Sequence, residues 1–309
     1  MELDHFGGLF TAGFTLTLEE RAALELQMAK KQMDERLHRC AGSLALAGAP
    51  TNSLHIPPNP RTSALFLPSM RFWGRVTGTT GDYLVVLGVL STAEFPARKW
   101  FYATSKELAL QQMPELSPEF AAAAAALART RFVGNPAKLL GADAGAAEEE
   151  EELDEQGNPK PRTPRFSEAH RLAALVAGVE AACGVVPRGA YAVTATRHVV
   201  PNAAFGGVSA SEATNLAAWA HFRPAQHPSR ASALTRAAAV PGSDDFLDSL
   251  AEDEPAGVWA AQLDAGKGVA RVASLQWPGY FAFATVDGSA KWGSVYVGDG
   301  RAEEVHILL

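Results

Sequence analysis

The side chains best suited to chemistry are three histidines in the second half of the chain. His221 and His227 are separated by five residues, and His198 precedes them. Three imidazoles can bind zinc, but this spacing matches no common zinc motif and no carboxylate stands beside them. The sequence therefore favours surface or capping roles for the histidines, and it predicts no metal ligand.

A cluster of carboxylates follows the histidines and could bind calcium loosely. Its members are Asp244, Asp245, Asp248, Glu252, Asp253 and Glu254. A calcium loop needs alternating oxygen ligands and a glycine at its sharp turn, and this segment has neither. The pattern favours a solvated helix face, with one or two helical turns over Asp244–Leu250.

No motif for nucleotide binding or nucleophilic catalysis is complete. Gly266-Lys267-Gly268 lacks the upstream glycine and the following Ser or Thr of a phosphate-binding loop, so a turn between two strands is predicted there. Residues 206–211 lack the flanking glycines of a nucleophile elbow. The sequence predicts a protein that is not an enzyme, with no catalytic residue and no cofactor. The alternative is a soluble enzyme or adaptor with an unrecognised pocket between sheet and helices.

Composition sets the broad class of protein. The chain has 309 residues, a formal net charge of −7 and two cysteines, Cys40 and Cys183. The negative charge argues against a general nucleic-acid binder, and so few cysteines fit a reducing compartment. No apolar run approaches the length of a membrane span, and the N-terminus does not resemble a secretory signal. We expect a soluble, intracellular, globular protein.

The first predicted helix runs from Thr17 to about His38. Thr17 and Glu20 have the spacing of a capping box, in which each side chain bonds to the backbone amide of the other residue. Five apolar residues lie on one stripe of this helix and are predicted to face the core. They are Leu18, Ala22, Leu26, Met33 and Leu37.

Three further helices are predicted from their N-terminal caps. Ser117, followed by Pro118, begins a helix that ends near Arg129. Ser167 begins another, which ends near Gly184 and has a core stripe of Leu172, Leu175, Val176 and Val179. The capping box Ser209–Glu212 predicts a helix through Trp219 to about His221.

Two segments are predicted to be flexible loops in a single domain that spans residues 1–309. Ala41–Ser63 contains Pro57, Pro58 and Pro60, which prevent a continuous helix. Gly141–Arg165 contains the acidic run Glu148–Glu152 and several prolines, so charge repulsion disfavours packing.

The remaining pattern predicts an antiparallel sheet, and with it an α+β fold. The N-terminal half predicts a hairpin of Phe72–Thr77 and Tyr83–Val89, then a strand at Trp100–Ala103. The second half predicts a strand over Val185–Thr194. The C-terminal meander is formed by Ala256–Asp264, Val269–Trp277, Tyr280–Thr285 and Trp292–Val297. Pro278-Gly279 and Asp287-Gly288 supply turns within the meander.

The tryptophans are predicted to be core residues, with five in strands and Trp219 in a helix. One or two could instead anchor a partner subunit. A meander that ends with Trp292–Val297 leaves an edge strand, which natural proteins cover or pair. Trp292, Val295 and Val297 are therefore the candidate partner-interface residues.

Segments along most of the chain resemble a known family. They are RFWGRVTGTTGDYLVVLG (Arg71–Gly88), RFVGNP (Arg131–Pro136), VVPRGAY (Val185–Tyr191), FGGVSASEATNLAAWAHFRPA (from Phe205), DDFLDSLAEDEPAGVWAAQ (Asp244–Gln262) and LQWPGYFAF followed by KWGSVYVGDGR (Leu275–Phe283 and Lys291–Arg301). Taken together and in this order, they resemble the radial spoke head protein 9 family, which is related to radial spoke head proteins 4 and 6. The segment 41–63 resembles an insertion relative to that family.

The resemblance implies a non-enzymatic structural subunit of the radial spoke head, in the axoneme of motile cilia and flagella. It implies contacts with proteins 4 and 6 and further head proteins, and transient contact of the head with projections of the central apparatus. It also implies a role in head assembly and in mechanical signalling between the central pair and the dynein arms. Neither nucleic acid nor membrane is an implied partner.

Overall fold

The computed structural model describes residues 16–46, 69–90, 94–141, 144, 165–227, 230, 233–239, 246–288 and 290–304. The strands are Ser69–Val76 (β1), Tyr83–Leu90 (β2), Ala97–Thr104 (β3), Gln111–Gln112 (β4), Val185–Pro187 (β5), Tyr191–Val193 (β6), Val199–Pro201 (β7), Trp219–His221 (β8), Trp259–Asp264 (β9), Val269–Ser274 (β10), Tyr280–Thr285 (β11) and Trp292–Gly298 (β12). The α-helices are Leu18–Leu46 (α1), Pro118–Ala126 (α2), Glu168–Cys183 (α3) and Ala233–Ala239 (α4).

Eight strands form one mixed sheet in the order β4-β3-β2-β1-β12-β11-β10-β9. Each half of the chain contributes an antiparallel meander, as the sequence predicts, and the two meanders meet where β1 pairs in parallel with β12. This α+β arrangement confirms the predicted fold class. Gly74 permits the junction, because an added Cβ would lie 2.1 Å from the carbonyl oxygen of Tyr296.

The central position of β12 corrects the expectation of an edge strand. β12 pairs with β1 at Tyr296, Val297 and Gly298 and with β11 from Trp292 to Tyr296, so it lies inside the sheet rather than at its edge. The edges of the sheet are instead the two-residue strand β4 and the strand β9. Local patterning predicts the meander correctly, but the pairing of β1 with β12 joins segments more than 200 residues apart, and periodicity carries no information about it.

One face of the sheet, here called the α3 face, holds the larger core. Leu172, Val176 and Val179 of α3 are fully buried against it, which confirms the predicted stripe of this helix. Ser117 caps α2 as predicted, because its side chain accepts a hydrogen bond of 3.2 Å from the amide of Phe120. α2 packs against α3, so the α3 face is covered by two helical layers.

The opposite face, here called the α1 face, is covered by α1. The capping box at Thr17 and Glu20 is present, with hydrogen bonds of 2.9 and 3.1 Å. However, the predicted core stripe is wrong, because Leu18, Leu26 and Met33 face solvent. The buried residues are Leu24 and Met28, which pack against Phe72, Leu84, Val86, Phe101 and Phe283 of the sheet.

An ion pair accounts for the orientation of α1. Both carboxylate oxygens of Glu20 accept hydrogen bonds of 2.8 Å from Arg75 on β1, and Lys31 lies over the ring of Phe101. Glu20, Lys31, Leu24 and Met28 lie on one side of the helix, so these contacts turn Leu24 and Met28 towards the sheet.

Two short ribbons extend the cover of the α3 face, and they correct two predictions. β5 pairs with β8 and β6 pairs with β7, so the predicted strand over Val185–Thr194 is split by a turn in which Gly189 has a φ of 79°. The predicted helix from Ser209 to His221 is absent. Turns occupy that segment until a 3₁₀ turn at Leu216–Ala218, and Trp219 then lies fully buried in β8. Pairing with β5 and burial of Trp219 override the local helix signal.

The described residues test the remaining predictions only in part. α1 continues to Leu46, so the predicted loop from Ala41 is wrong for residues 41–46, and the rest of that loop lies outside the described residues. Most of the predicted loop Gly141–Arg165 also lies outside them. Asp244 and Asp245 do so too, and the described residues after them form only a 3₁₀ turn at Leu250–Glu252 rather than a solvated helix. Within the described part of the chain, no helix combines the length and apolarity needed to cross a membrane.

Candidate functional site

The three candidate interface residues on β12 do not share one surface. Val295 is 1% exposed and packs in the core of the α1 face, where Val297 is half-buried. Trp292 points to the opposite face, because the side chains of a strand alternate, and it is half-buried against the core of the α3 face. Of the three residues, Trp292 alone lies at a recess.

This recess, here called the β12 recess, is a cavity of about 220 Å³ between the sheet and its cover. Its walls come from β1, β2, β3 and β12, the end of α3, and the β5–β8 and β6–β7 ribbons. The residues used below are Arg71, Arg98, Glu180, Tyr191, Phe222 and Trp292. Four of the segments that carry the family resemblance contribute to these walls, although they are far apart in sequence.

An aromatic cluster forms one side of the β12 recess. The ring of Tyr191 stacks on Phe222 with centroids 4.1 Å apart, and it meets the edge of Trp292 at 5.6 Å. Arg71 lies 5.9 Å from the ring centre of Trp292 and donates a hydrogen bond of 3.1 Å to the hydroxyl of Tyr191. The guanidinium is therefore held by a ring face and a hydroxyl, both of which leave its charge uncompensated.

The charges around the recess do not balance. Glu180 pairs with Arg98 at 2.7 Å and accepts a hydrogen bond of 3.0 Å from the indole of Trp73. Arg98 also donates to the backbone carbonyl of Phe222. No carboxylate among the described residues pairs with Arg71, so two arginines face one glutamate. With two guanidinium groups to one carboxylate, this arrangement is suited to binding an anionic group.

A second polar cluster explains the RFVGNP segment. Glu168, at the start of α3, is fully buried and accepts hydrogen bonds from the backbone amides of Val133, Gly134 and Asn135 at 3.0, 2.7 and 3.2 Å. It also accepts a 2.6 Å hydrogen bond from the hydroxyl of Tyr83. Burial, together with this carboxylate, raises the pKa of Tyr83, so the phenol keeps its proton. Glu168 therefore clamps the 131–136 loop to α3 and β2.

The nearest approach to an acid–base site is a histidine paired with a carboxylate. Nε2 of His221, which is 2% exposed, lies 2.9 Å from both carboxylate oxygens of Asp253. Asp253 also accepts a 2.6 Å hydrogen bond from the indole of Trp259. Burial raises the pKa of Asp253, but the hydrogen bonds from His221 and Trp259 outweigh it and hold the pKa below its usual value. The carboxylate therefore stays ionised and orients the imidazole.

Among the described residues, no activated nucleophile lies beside this pair. Burial raises the pKa of the Cys183 thiol to about 12, so the thiolate that attacks substrates is not formed at neutral pH. Ser274 lines the same small cavity as His221, but no hydrogen bond joins the two residues. The Ser274 hydroxyl instead accepts a hydrogen bond of 3.1 Å from the backbone amide of Trp277. The pair thus ties β8 to the segment before β9, and the burial of His221 beside a carboxylate corrects the prediction of a surface or capping role for this histidine.

The other candidate ligands are engaged separately. His198 lies 3.0 Å from the hydroxyl of Thr196, and Asp248 accepts a 2.8 Å hydrogen bond from the amide of Gln226. Glu252 binds Arg230. Within the described residues, no group of three or more His, Cys, Asp or Glu could hold a metal ion. Asp248 is buried and Asp253 is half-buried, which corrects the prediction of a solvated surface for these two residues, whereas Glu252 and Glu254 are exposed as predicted.

Sequence reasoning missed most residues of the β12 recess. Arg71, Tyr191 and Phe222 lie inside the segments that carry the resemblance, so those segments were the available signal. Nothing in the local patterning indicates that they meet, because the contacts depend on the pairing of β5 with β8 and of β1 with β12.

Comparison with known proteins gives one consistent result. No protein-family profile matches the chain. A protein of Danio rerio is 34% identical over 229 residues, which covers 74% of this chain and 80% of the relative. A protein of Xenopus tropicalis is 34% identical over 248 residues, covering 77% and 83%, and one of Homo sapiens is 32% identical over 237 residues, covering 74% and 80%. All three are named radial spoke head protein 9 homolog.

Proposed function

This chain belongs to the radial spoke head protein 9 family, and on that premise we propose that it is a structural subunit of the radial spoke head in the axoneme of motile cilia or flagella. The observation that carries the proposal is the similarity to relatives with that name over about four-fifths of their length. The segments of resemblance also hold β1, β2, β5, β8, β11 and β12, so they reach both meanders and the cover of the sheet.

In this role the subunit contributes to assembly of the head, and it passes mechanical contact from the central apparatus towards the dynein arms. Its partners are other head subunits, with radial spoke head proteins 4 and 6 the first to test. A sheet buried on both faces resists deformation, because close-packed interiors have low compressibility. Such a body suits the transmission of force better than a flexible chain.

Fractionation of ciliated cells tests this function. The tagged chain is expected to remain with axonemes through a high-salt wash and to be lost from axonemes that lack spoke heads. Extraction of the chain with the soluble fraction would contradict the proposal and would favour the enzyme or free adaptor. Loss of the gene is expected to leave spokes without complete heads.

The β12 recess supplies a candidate contact with a neighbouring subunit. Tryptophan, tyrosine and arginine dominate the energetic centres of protein interfaces, and Trp292, Tyr191 and Arg71 meet here. A volume of about 220 Å³ is below the roughly 300–1,000 Å³ of common ligand pockets. A single side chain fits better than a nucleotide, and the excess positive charge favours an Asp or Glu of the partner.

Charge neutralisation at the recess tests this contact. Arg71→Gln is expected to weaken co-purification with the partner subunit about 10-fold or more. Arg271→Gln is the matched control, because Arg271 lies 5.8 Å from the ring centre of Phe281 on β11 and outside the recess. Unchanged binding by folded Arg71→Gln, with the chain still axonemal, would exclude the recess as the contact while leaving the family role intact.

A further inference from the structure

The outer side of α1 carries an apolar stripe that faces solvent. It consists of Leu18, Ala22, Leu26, Ala29 and Met33, here called the outer stripe. Its three large side chains are 84%, 69% and 62% exposed. Among the other residues whose side chains the structure describes, Leu275, at 46%, is the only exposed large hydrophobic residue. Three of four such residues therefore share one side of one helix.

The outer stripe lies opposite the buried side of the same helix. At roughly 100° per residue its five members span about 80° of the helix surface. Leu24 and Met28, which pack on the sheet, lie about half a turn away. A helix that is apolar on two opposite sides belongs between two layers, and here one layer is the sheet.

The spacing within the outer stripe indicates a second copy of this chain as the other layer. Read from either end, the stripe gives a large residue, an alanine, a central leucine, an alanine and a large residue. In an antiparallel pair centred near Leu26, Leu18 meets Met33 of the other copy and Ala22 meets Ala29. The alanines allow the helix axes to approach, and the large residues fill the ends of the contact.

The charges beside the stripe favour the antiparallel arrangement over the parallel one. The N-terminal half exposes Glu19 and Glu25, the latter paired with Arg21 at 2.9 Å, and the C-terminal half exposes Lys30. Antiparallel helices bring the glutamate end of one copy towards Lys30 of the other, whereas parallel helices align like charges. The helix dipoles of an antiparallel pair point in opposite directions, which also favours this arrangement.

We propose that two copies of this chain associate through the outer stripes of their α1 helices, antiparallel and with two-fold symmetry. Because the same surface is used by both copies, the contact closes as a dimer and does not propagate. The stripe covers about 24 Å of helix, which is small for a stable interface, so dissociation in the micromolar range is expected. The proposal depends on the geometry of α1 and stands apart from the spoke-head assignment.

Sedimentation of the purified full chain tests the proposal. From about 1 to 200 μM the protein should shift from monomer to dimer, and Leu26→Asp should weaken association at least 10-fold while melting like the wild type. The matched control is Leu275→Asp, which changes an exposed leucine in the turn after β10 and should dimerise normally. A protein that stays monomeric throughout this range, or a Leu26→Asp variant that associates like the wild type, would overturn the proposal.

Cysteine cross-linking tests the orientation in a Cys40→Ser background. Leu26→Cys should form a disulfide with itself, and a mixture of Leu18→Cys and Met33→Cys chains should cross-link to each other. Leu18→Cys that cross-links to itself would show a parallel pair and overturn the antiparallel arrangement. Slow labelling of Leu26→Cys in the monomer would show that the same chain covers the stripe, which would also overturn it. In axonemes, cross-links that join Leu26→Cys only to a different subunit would likewise overturn the proposal.

Discussion

On the α3 face, the sheet is covered by α3, by α2 behind it and by the short β5–β8 ribbon, whereas on the α1 face the described cover is a single helix. The first core includes Leu172, Tyr280 and Trp219, which have neighbours on every side. The second centres on Leu24 and Met28 of α1. The difference predicts that the α3 face contributes more to the stability of the fold, whereas α1 also presents an outer surface. Four substitutions test this contrast.

The largest loss of stability is expected from Leu172→Ala. Leu172 is fully buried between α3 and the sheet, and the layers around it cannot collapse into the cavity. We expect the free energy of unfolding to fall by about 3–5 kcal/mol. Chemical denaturation measures this loss, and the m-value is expected to stay unchanged. A loss below that of Leu24→Ala would reverse the ranking of the two faces.

Glu168→Gln tests the polar part of the same face. The amide keeps the size of the side chain but removes the charge that three backbone amides and Tyr83 contact. A loss of about 2–4 kcal/mol is expected, because hydrogen bonds to a buried charge are the strong ones. Faster amide exchange at Val133 and Gly134 should accompany it. Normal exchange there would show that the loop does not depend on the clamp.

Leu24→Ala makes the same chemical change on the α1 face. Leu24 is also fully buried, but α1 can settle towards the sheet because little lies behind it. The expected loss is about 2–3 kcal/mol, at the low end for a buried leucine. Thermal and denaturant melts of both alanine variants, measured side by side, check the ranking.

The smallest effect is expected from Asp253→Asn, and it depends on pH. The pKa of Asp253 is lower in the folded protein, so its stabilisation is complete above the unfolded pKa of about 3.9 and is lost as the pH falls through the folded pKa. The variant should be less stable by about 1 kcal/mol at neutral pH. This difference should shrink below about pH 4, and a constant difference down to pH 2 would contradict the assignment.

The elements that the sequence predicted correctly are those fixed by neighbouring residues. The helix caps at Ser117 and Thr17 and the apolar stripe of α3 depend on residues within one or two helical turns. The turn at Gly279, which has a φ of 95°, depends only on its own hairpin. Periodicity identified an apolar stripe on α1 but not the side that faces the sheet. That choice depends on Arg75, which lies 55 residues away from Glu20.

The errors share a cause, which is contact between distant segments. Trp219 sits in a strand because β5 offers a partner, and β12 lies at the centre of the sheet because β1 occupies its open side. The β12 recess could not be predicted for the same reason. Three residues that line it, Arg71, Tyr191 and Trp292, lie on strands that come together only in the complete tertiary structure.

The parallel pairing of β1 with β12 also sets a delay during synthesis. β1 ends at Val76 and β12 begins at Trp292, so residues 77–291, a stretch of 215, must be made before the two strands can meet. At about 5–20 residues per second, the ribosome needs roughly 10–45 s for that stretch. During this interval the N-terminal meander exposes the open edge of β1 and the apolar side chains of both faces. The nascent chain is therefore expected to depend on chaperones until β12 has emerged.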